Sequence, residues 1–249
     1  MREEYITDEA WTKMLKFFEN DRRVLKGSGD SLKHFVEAIY WIVRTGAQWR
    51  MLPEKYGLWN SVFKRFRRWV KSGVWKDLMR FCIEDPDLEY IMIDSTIVRA
   101  HACAAGLGNQ SLQGLGRSKG GFTSKIHAKV DALGNPLKFV VSPGQQSDIN
   151  YANGLLGEVS GAFVLCDKGY DSDEFREQVK NQNNVPVIPG RCNRKIPIEY
   201  DKHIYKERSL VECFFSKIKY FRRIFSRYDK DISSFVAFIC FVGALIWLR

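Results

Sequence analysis

A segment near the end of the chain, Tyr205 to Lys219 (YKERSLVECFFSKIK), carries the side chains best suited to chemistry. Wound as a helix at about 100° per residue, it sets Tyr205, Arg208, Glu212 and Lys219 within an arc of roughly 60°. Leu210, Val211, Phe214, Ile218 and Phe221 crowd the opposite side. Such a helix buries an apolar face and presents a tyrosine, two cations and one carboxylate in a line. That stripe suits a protein that must hold a phosphodiester backbone and place a metal ion on it. Two upstream carboxylates complete the set: Asp94 in YIMIDST and Asp167 in FVLCDKGYDS. Each ends a short apolar run that reads as a buried strand. An unpaired charge is costly there, so these acids point to a function beyond capping.

Phosphodiester cleavage needs an activated nucleophile and a stabilised leaving oxygen, and two divalent ions about 3.5–4 Å apart supply both. Hard Mg2+ or Mn2+ prefers carboxylate oxygens, so Asp94, Asp167 and Glu212 suffice as ligands for a pair. Arg208 and Lys219 would neutralise phosphates, and Tyr205 would stack on a base or bond a phosphate oxygen. Arg208 and Glu212 also have the spacing of an ordinary surface ion pair on a helix. Other acids compete. Asp131 reads as a turn residue before Gly134, and Asp148 as the cap of a following helix. Asp171 reads either as a support behind the metal ligands or as a brace of its loop, because Asp167 is the acid that directly follows the apolar strand.

With these residues in view, the chain resembles the DDE transposases of bacterial insertion sequences, and within them the insertion-sequence-five family. The resemblance rests on the three acids in order and on the Tyr-x-x-Arg-x-x-x-Glu-x-x-x-x-x-x-Lys helix. It also rests on RTGAQWRMLPEKYGLWNSVFKRFRRW and GRSKGGFTSKIHAKVDALGNP, and covers nearly the whole chain. It implies a ribonuclease H-like catalytic domain in which Asp94 bridges two Mg2+ ions, for which Mn2+ substitutes, while Asp167 holds one and Glu212 the other. It further implies binding of double-stranded DNA, both the element's terminal inverted repeats and a target, by a homodimer or larger assembly. Two rival readings share many of these residues: a ribonuclease H-like nuclease that cuts without strand transfer, and a non-catalytic DNA-binding derivative.

Charge agrees with a polyanionic partner. The 249 residues include 39 Lys and Arg against 29 Asp and Glu, a net charge of +10, and basic proteins of this size commonly meet nucleic acid. None of the six cysteines forms a Cys-x-x-Cys pair, which argues against a zinc finger or a disulfide scaffold and fits reduced thiols in a bacterial cytoplasm. No Gly-Lys-Ser or Gly-Lys-Thr occurs, so no nucleotide cofactor is expected. The uncharged stretch from Ile232 to Leu248 is about 25 Å long as a helix. That is short for a membrane span and reads as a buried terminal helix.

The elements that must position these residues divide the chain near residue 85. Residues 1–85 read as a helical DNA-binding region. Its third helix, from about Trp59, carries Lys64, Arg65, Arg67, Arg68 and Lys71 opposite an apolar face, as a helix entering a major groove does. Residues 86–249 read as mixed α/β: IMID, a hairpin of IHAKVDA and PLKFVVS across Leu133-Gly134-Asn135, then helix, FVLCD, helix, VPVIP and the terminal helices. The order matches a ribonuclease H-like mixed sheet flanked by helices. The Gly-rich segment 106–121, with Arg117, Lys119 and Lys125 in and after it, reads equally as a mobile loop that grips a DNA end or as a disordered connector.

Overall fold

Short apolar runs separated by Gly, Asn and Asp become strands, and longer amphipathic runs become helices. The computed structural model describes residues 6–25, 29–106, 108–118 and 121–249. Its main elements are α1 (Asp8–Asn20), α2 (Gly29–Thr45), α3 (Trp59–Ser72), α4 (Val74–Cys82), β1 (Tyr90–Ala100), β2 (Gly116–Ser118), β3 (Gly121–Val130) and β4 (Pro136–Pro143). After these come α5 (Ile149–Leu156), β5 (Phe163–Cys166), α6 (Asp173–Asn181), β6 (Val185–Val187), α7 (Ser209–Lys219), α8 (Arg222–Phe225) and α9 (Ile232–Trp247).

Packing divides the chain into two units that do not follow one cut. The sheet unit comprises Asp85–Arg99 and Gly108–Lys217; the helical unit comprises Met1–Glu84, Ala100–Leu107 and Ile218–Arg249. The closing segment, Ile218–Arg249, packs with the helical unit although it follows the sheet in sequence. The reason is α9. It is apolar on every side, and a helix of that kind must be enclosed. Phe238 stacks on Phe66 of α3 with ring centroids 4.6 Å apart, and Phe241 meets Trp75 of α4 at 5.3 Å. No helix among the described residues is long and apolar enough to cross a membrane. At the other end of the helical unit, Thr7 caps α1 by accepting the Ala10 amide at 3.2 Å.

In the sheet unit the strand order is β2-β3-β1-β5-β6, and β4 joins β3 beyond the short β2. β1, β3 and β4 are antiparallel neighbours, whereas β1, β5 and β6 run parallel. Three antiparallel strands followed by two parallel ones, with helices at each crossover, make a ribonuclease H-like sheet. The first strand is much longer than IMID, running eleven residues. The expected hairpin forms, with Asp131 accepting the amides of Leu133 and Asn135 and Gly134 at φ +78°. That left-handed conformation favours glycine.

The two faces of the sheet differ. Ile91, Ile93, Val164 and Cys166 pack with Leu155 and Leu156 of α5 and Phe175 and Val179 of α6 in one core. Asp94, one residue on from Ile93, belongs to the other face. There Phe139 of β4 stacks on Phe214 of α7 at 5.8 Å.

Candidate active site

Strand register brings the first two acids together. Ile93 pairs with Cys166 across the parallel β1–β5 ladder, so Asp94 and Asp167 follow paired residues on adjacent strands. Asp94 Oδ1 accepts its neighbour's amide, Ser95 N, at 2.7 Å. Asp167 Oδ1 accepts Gly169 N at 2.8 Å, which fixes the turn after β5. A side chain at Gly169 would begin 2.8 Å from that same oxygen, so only glycine leaves the carboxylate in place. Burial raises the Asp94 carboxyl to about 6, and the nearby charges of Asp167 and Asp148 add to the rise. Ser95 N and Arg208 oppose it.

The third acid reaches the others through a cation. Arg208 Nη1 lies 2.7 Å from Asp94 Oδ2, while Nη2 bonds Glu212 Oε1. Burial works against the Arg208 charge, but Asp94, Tyr205, Glu212 and Asp167 outweigh it. The segment expected as one helix has two parts. Tyr205 and Arg208 lie on a 3-10 turn, Ile204–Arg208, and α7 begins at Ser209. The tighter turn changes the angular stripe, yet the Arg208 guanidinium lies 5.8 Å from the Tyr205 ring. Lys219 is half-buried at the last position of α7.

Two residues have roles their sequence positions did not suggest. Asp148 stands at the start of α5 but makes no side-chain cap. Its Oδ1 instead accepts Ser95 Oγ at 2.7 Å and Lys125 Nζ at 3.0 Å, with His127 Nδ1 at 3.5 Å. Lys125, expected to grip DNA, is buried and also donates to the Gln146 carbonyl at 2.9 Å. Its charge is spent inside the protein because alternate residues of β3 point beneath α5. His127 stacks on Tyr151 and is pushed down to about 4 by burial. Lys129 donates to the Leu156 carbonyl at the far end of α5 and is lowered to about 8, again by burial. Basic side chains at i, i+2 and i+4 of an apolar strand were the visible signal for this clamp.

Asp171 braces its loop, one of the two roles open to it from sequence. It is buried and accepts Arg176 at 2.9 Å, Arg194 Nε at 2.6 Å and the Arg191 amide at 2.8 Å. Burial pushes this acid up, but those bonds outweigh it and hold it at about 2. Arg191 also donates to the Lys168 and Gly169 carbonyls, so the group clasps the turn behind Asp167.

The cations expected on DNA separate into groups. In α3, Lys64, Arg68 and Lys71 are exposed. Arg67 turns inward to Asp231 and to Ser234 Oγ, the latter at 2.7 Å, and Arg65 lies over the Phe35 ring at 4.5 Å. These two therefore stabilise the helical unit. Arg117 is exposed on β2 with its guanidinium 5.2 Å from the Phe122 ring. Lys119 lies outside the described residues.

The acids present fit divalent metal by charge and by hard oxygen donors. Asp94 and Asp167 repel one another, and a cation already bridges Asp94 to Glu212. Among the described residues no three His, Cys, Asp or Glu side chains yet converge as ligands.

A ribonuclease H-like sheet with acids following β5 and within β1, and a third on a late helix, is the arrangement shared by ribonuclease H-like nucleases and the DDE class of strand-transferring enzymes. Residues 6–79 match the IS4/5 transposase family and residues 85–247 match the transposase DDE domain. A protein of Brucella ovis, named as a transposase for insertion sequence element IS6501, is 39% identical over 51% of this chain and 99% of its own. One of Burkholderia cepacia, named for IS402, is 25% identical over 47% of this chain and 58% of its own. Among solved structures, a piggyBac transposase synaptic complex with hairpin DNA aligns at TM-score 0.42 and 14% identity, over 78% of this chain and 51% of that one. This chain belongs to the DDE transposases of the IS4/5 insertion-sequence family.

Proposed function

We propose that the protein binds the terminal inverted repeats of its own insertion sequence, cleaves there, and joins the freed 3′-hydroxyl to target DNA. Asp94, Asp167 and Glu212 hold divalent ions, Mg2+ or Mn2+, which supply activation of the attacking oxygen and stabilisation of the leaving one. The chain's own groups do the rest. Asp94 and Asp167 set the position of the reacting phosphate, Arg208 and Lys219 offset its charge, and Tyr205 orients the strand beside it. Lys64, Arg68 and Lys71 grip the duplex, with Arg117 as a further contact. Two ends are paired by at least two copies of the chain.

One observation carries this reading: the β1–β5 register places Asp94 beside Asp167, and a shared arginine links Glu212 to Asp94. The test is end cleavage. Purified protein is incubated with Mg2+ or Mn2+ and DNA flanking its gene, beside Asp94→Asn, Asp167→Asn and Glu212→Gln. Cuts at the element's ends that join a target plasmid and vanish in all three variants support the proposal. Nicking that ignores the ends and never joins means a nuclease, and binding without cutting means a DNA-binding relic.

A further inference from the structure

Arg208 sits where the carboxylates call for a cation. Its two terminal nitrogens engage different acids, Asp94 Oδ2 at 2.7 Å and Glu212 Oε1. The arginine side chain is 19% exposed and Asp94 16%, whereas Glu212 is 58% exposed. A largely buried guanidinium thus pulls an outlying carboxylate toward a buried one. The Glu212 end of the bridge lies outside the core. Arg208 closes a single 3-10 turn, and Glu212 projects from the first turn of α7 toward solvent.

We propose that Arg208 is a positioning residue that holds Asp94 and Glu212 as a pair in the metal-free protein and is released from them when divalent ions bind. This rests on the assignment of Asp94 and Glu212 as metal ligands made above. Asp94 Oδ2 and Glu212 Oε1 each face one cationic partner, and a guanidinium and a divalent ion exclude each other from the same oxygens. Exclusion makes the coupling reciprocal. Metal weakens the hold on Arg208, and a phosphate that captures Arg208 opens the acids to metal. The released guanidinium remains next to the reacting centre, where its planar fork matches a phosphate. The two acids are thereby never without a cation: the guanidinium faces Asp94 and Glu212 before the metal arrives, and the same guanidinium becomes available to DNA afterwards.

The experiment is a Mn2+ titration of the full chain without DNA, read by the electron paramagnetic resonance of free Mn2+. It compares the native protein with Arg208→Gln, Arg208→Lys and Asp94→Asn. Arg208→Gln removes the competitor and is expected to bind Mn2+ about tenfold more tightly, a typical size for coupled sites. It also melts at a lower temperature in EDTA and gains more from Mn2+ than the native protein does. Arg208→Lys keeps a charge but cannot span both acids in one plane, so its affinity falls between the two. It decides the matter if Arg208→Gln does not fold. Arginine variants that bind Mn2+ no better than the native chain, while Asp94→Asn loses binding, overturn the inference and leave the metal site standing. Unchanged Mn2+ binding by Asp94→Asn overturns both.

Discussion

Replacing Asp94 by asparagine should make the metal-free protein more stable at neutral pH while removing its metal binding. The carboxyl is raised from 3.8 to about 6, first by burial and then by Asp167 and Asp148. A raised acid binds its proton more tightly folded than unfolded, so stability falls as pH rises from about 4 to about 6 and stays low above. At ~1.36 kcal/mol per tenfold change in proton affinity, the difference between 6 and 3.8 amounts to about 3 kcal/mol at pH 7.5. Asparagine carries no charge, but its amide nitrogen must face a donor, either Ser95 N or Arg208, which costs about 1 kcal/mol. The net expectation is a gain of about 2 kcal/mol at pH 7.5 that shrinks to about zero at pH 4.5. Urea unfolding in EDTA at the two pH values measures it. A variant less stable than the native chain at pH 7.5 would show that the Arg208 bond outweighs burial, and the reasoning would fail. A gain would mark Asp94 as an acid kept for function at a cost in stability.

Asp171→Asn should act in the opposite sense. Its folded value of about 2 against 3.8 makes its charge stabilising above about 4, a contribution lost as pH falls toward 2, so urea unfolding should show a loss of about 2.4 kcal/mol at pH 7 that narrows near pH 3. Changing Lys64, Arg68 and Lys71 together to alanine should weaken DNA binding and lower the slope of log affinity against log salt by about 2 to 3; fluorescence anisotropy at several salt concentrations that finds the same slope would remove α3 from the interface. Phe238→Ala leaves Phe66 without its stacking partner and should cost about 3–5 kcal/mol by thermal or urea unfolding. A loss below 1 kcal/mol would mean α9 is not part of that core.

The fold was largely legible because its strands are short, apolar and punctuated. The turn at Asp131–Asn135 and the run ending at Asp167 each show in a few residues, and α3 and α4 show in helical periodicity. What was not legible depended on distant packing. Nothing local to Ile232–Trp247 says that α9 encloses itself against Phe66 and Trp75 instead of joining the sheet. Similarly, five cations in α3 look equivalent in sequence. Arg67 differs because Asp231, which caps α9, lies within its reach, and Arg65 differs because Phe35 offers an aromatic face.

The site shows the same limit at higher stakes. The three acids were visible because each ends an apolar run or interrupts an amphipathic one, where a charge is expensive unless it works. Asp148 was not, since an acid before a helix is well explained as a cap. Its real partners became inevitable only once β3 was placed. Lys125 and His127 alternate toward α5, and a buried lysine demands an acceptor. Asp148 meets that demand at 3.0 Å and uses the same oxygen to hold Ser95, the residue that donates its amide to Asp94. The clamp beneath α5 and the candidate acids beside α7 thus meet at adjacent residues of one strand. A change at Lys125 should therefore reach Asp94 through the Asp148–Ser95 bond, although Lys125 and Asp94 face opposite sides of the sheet.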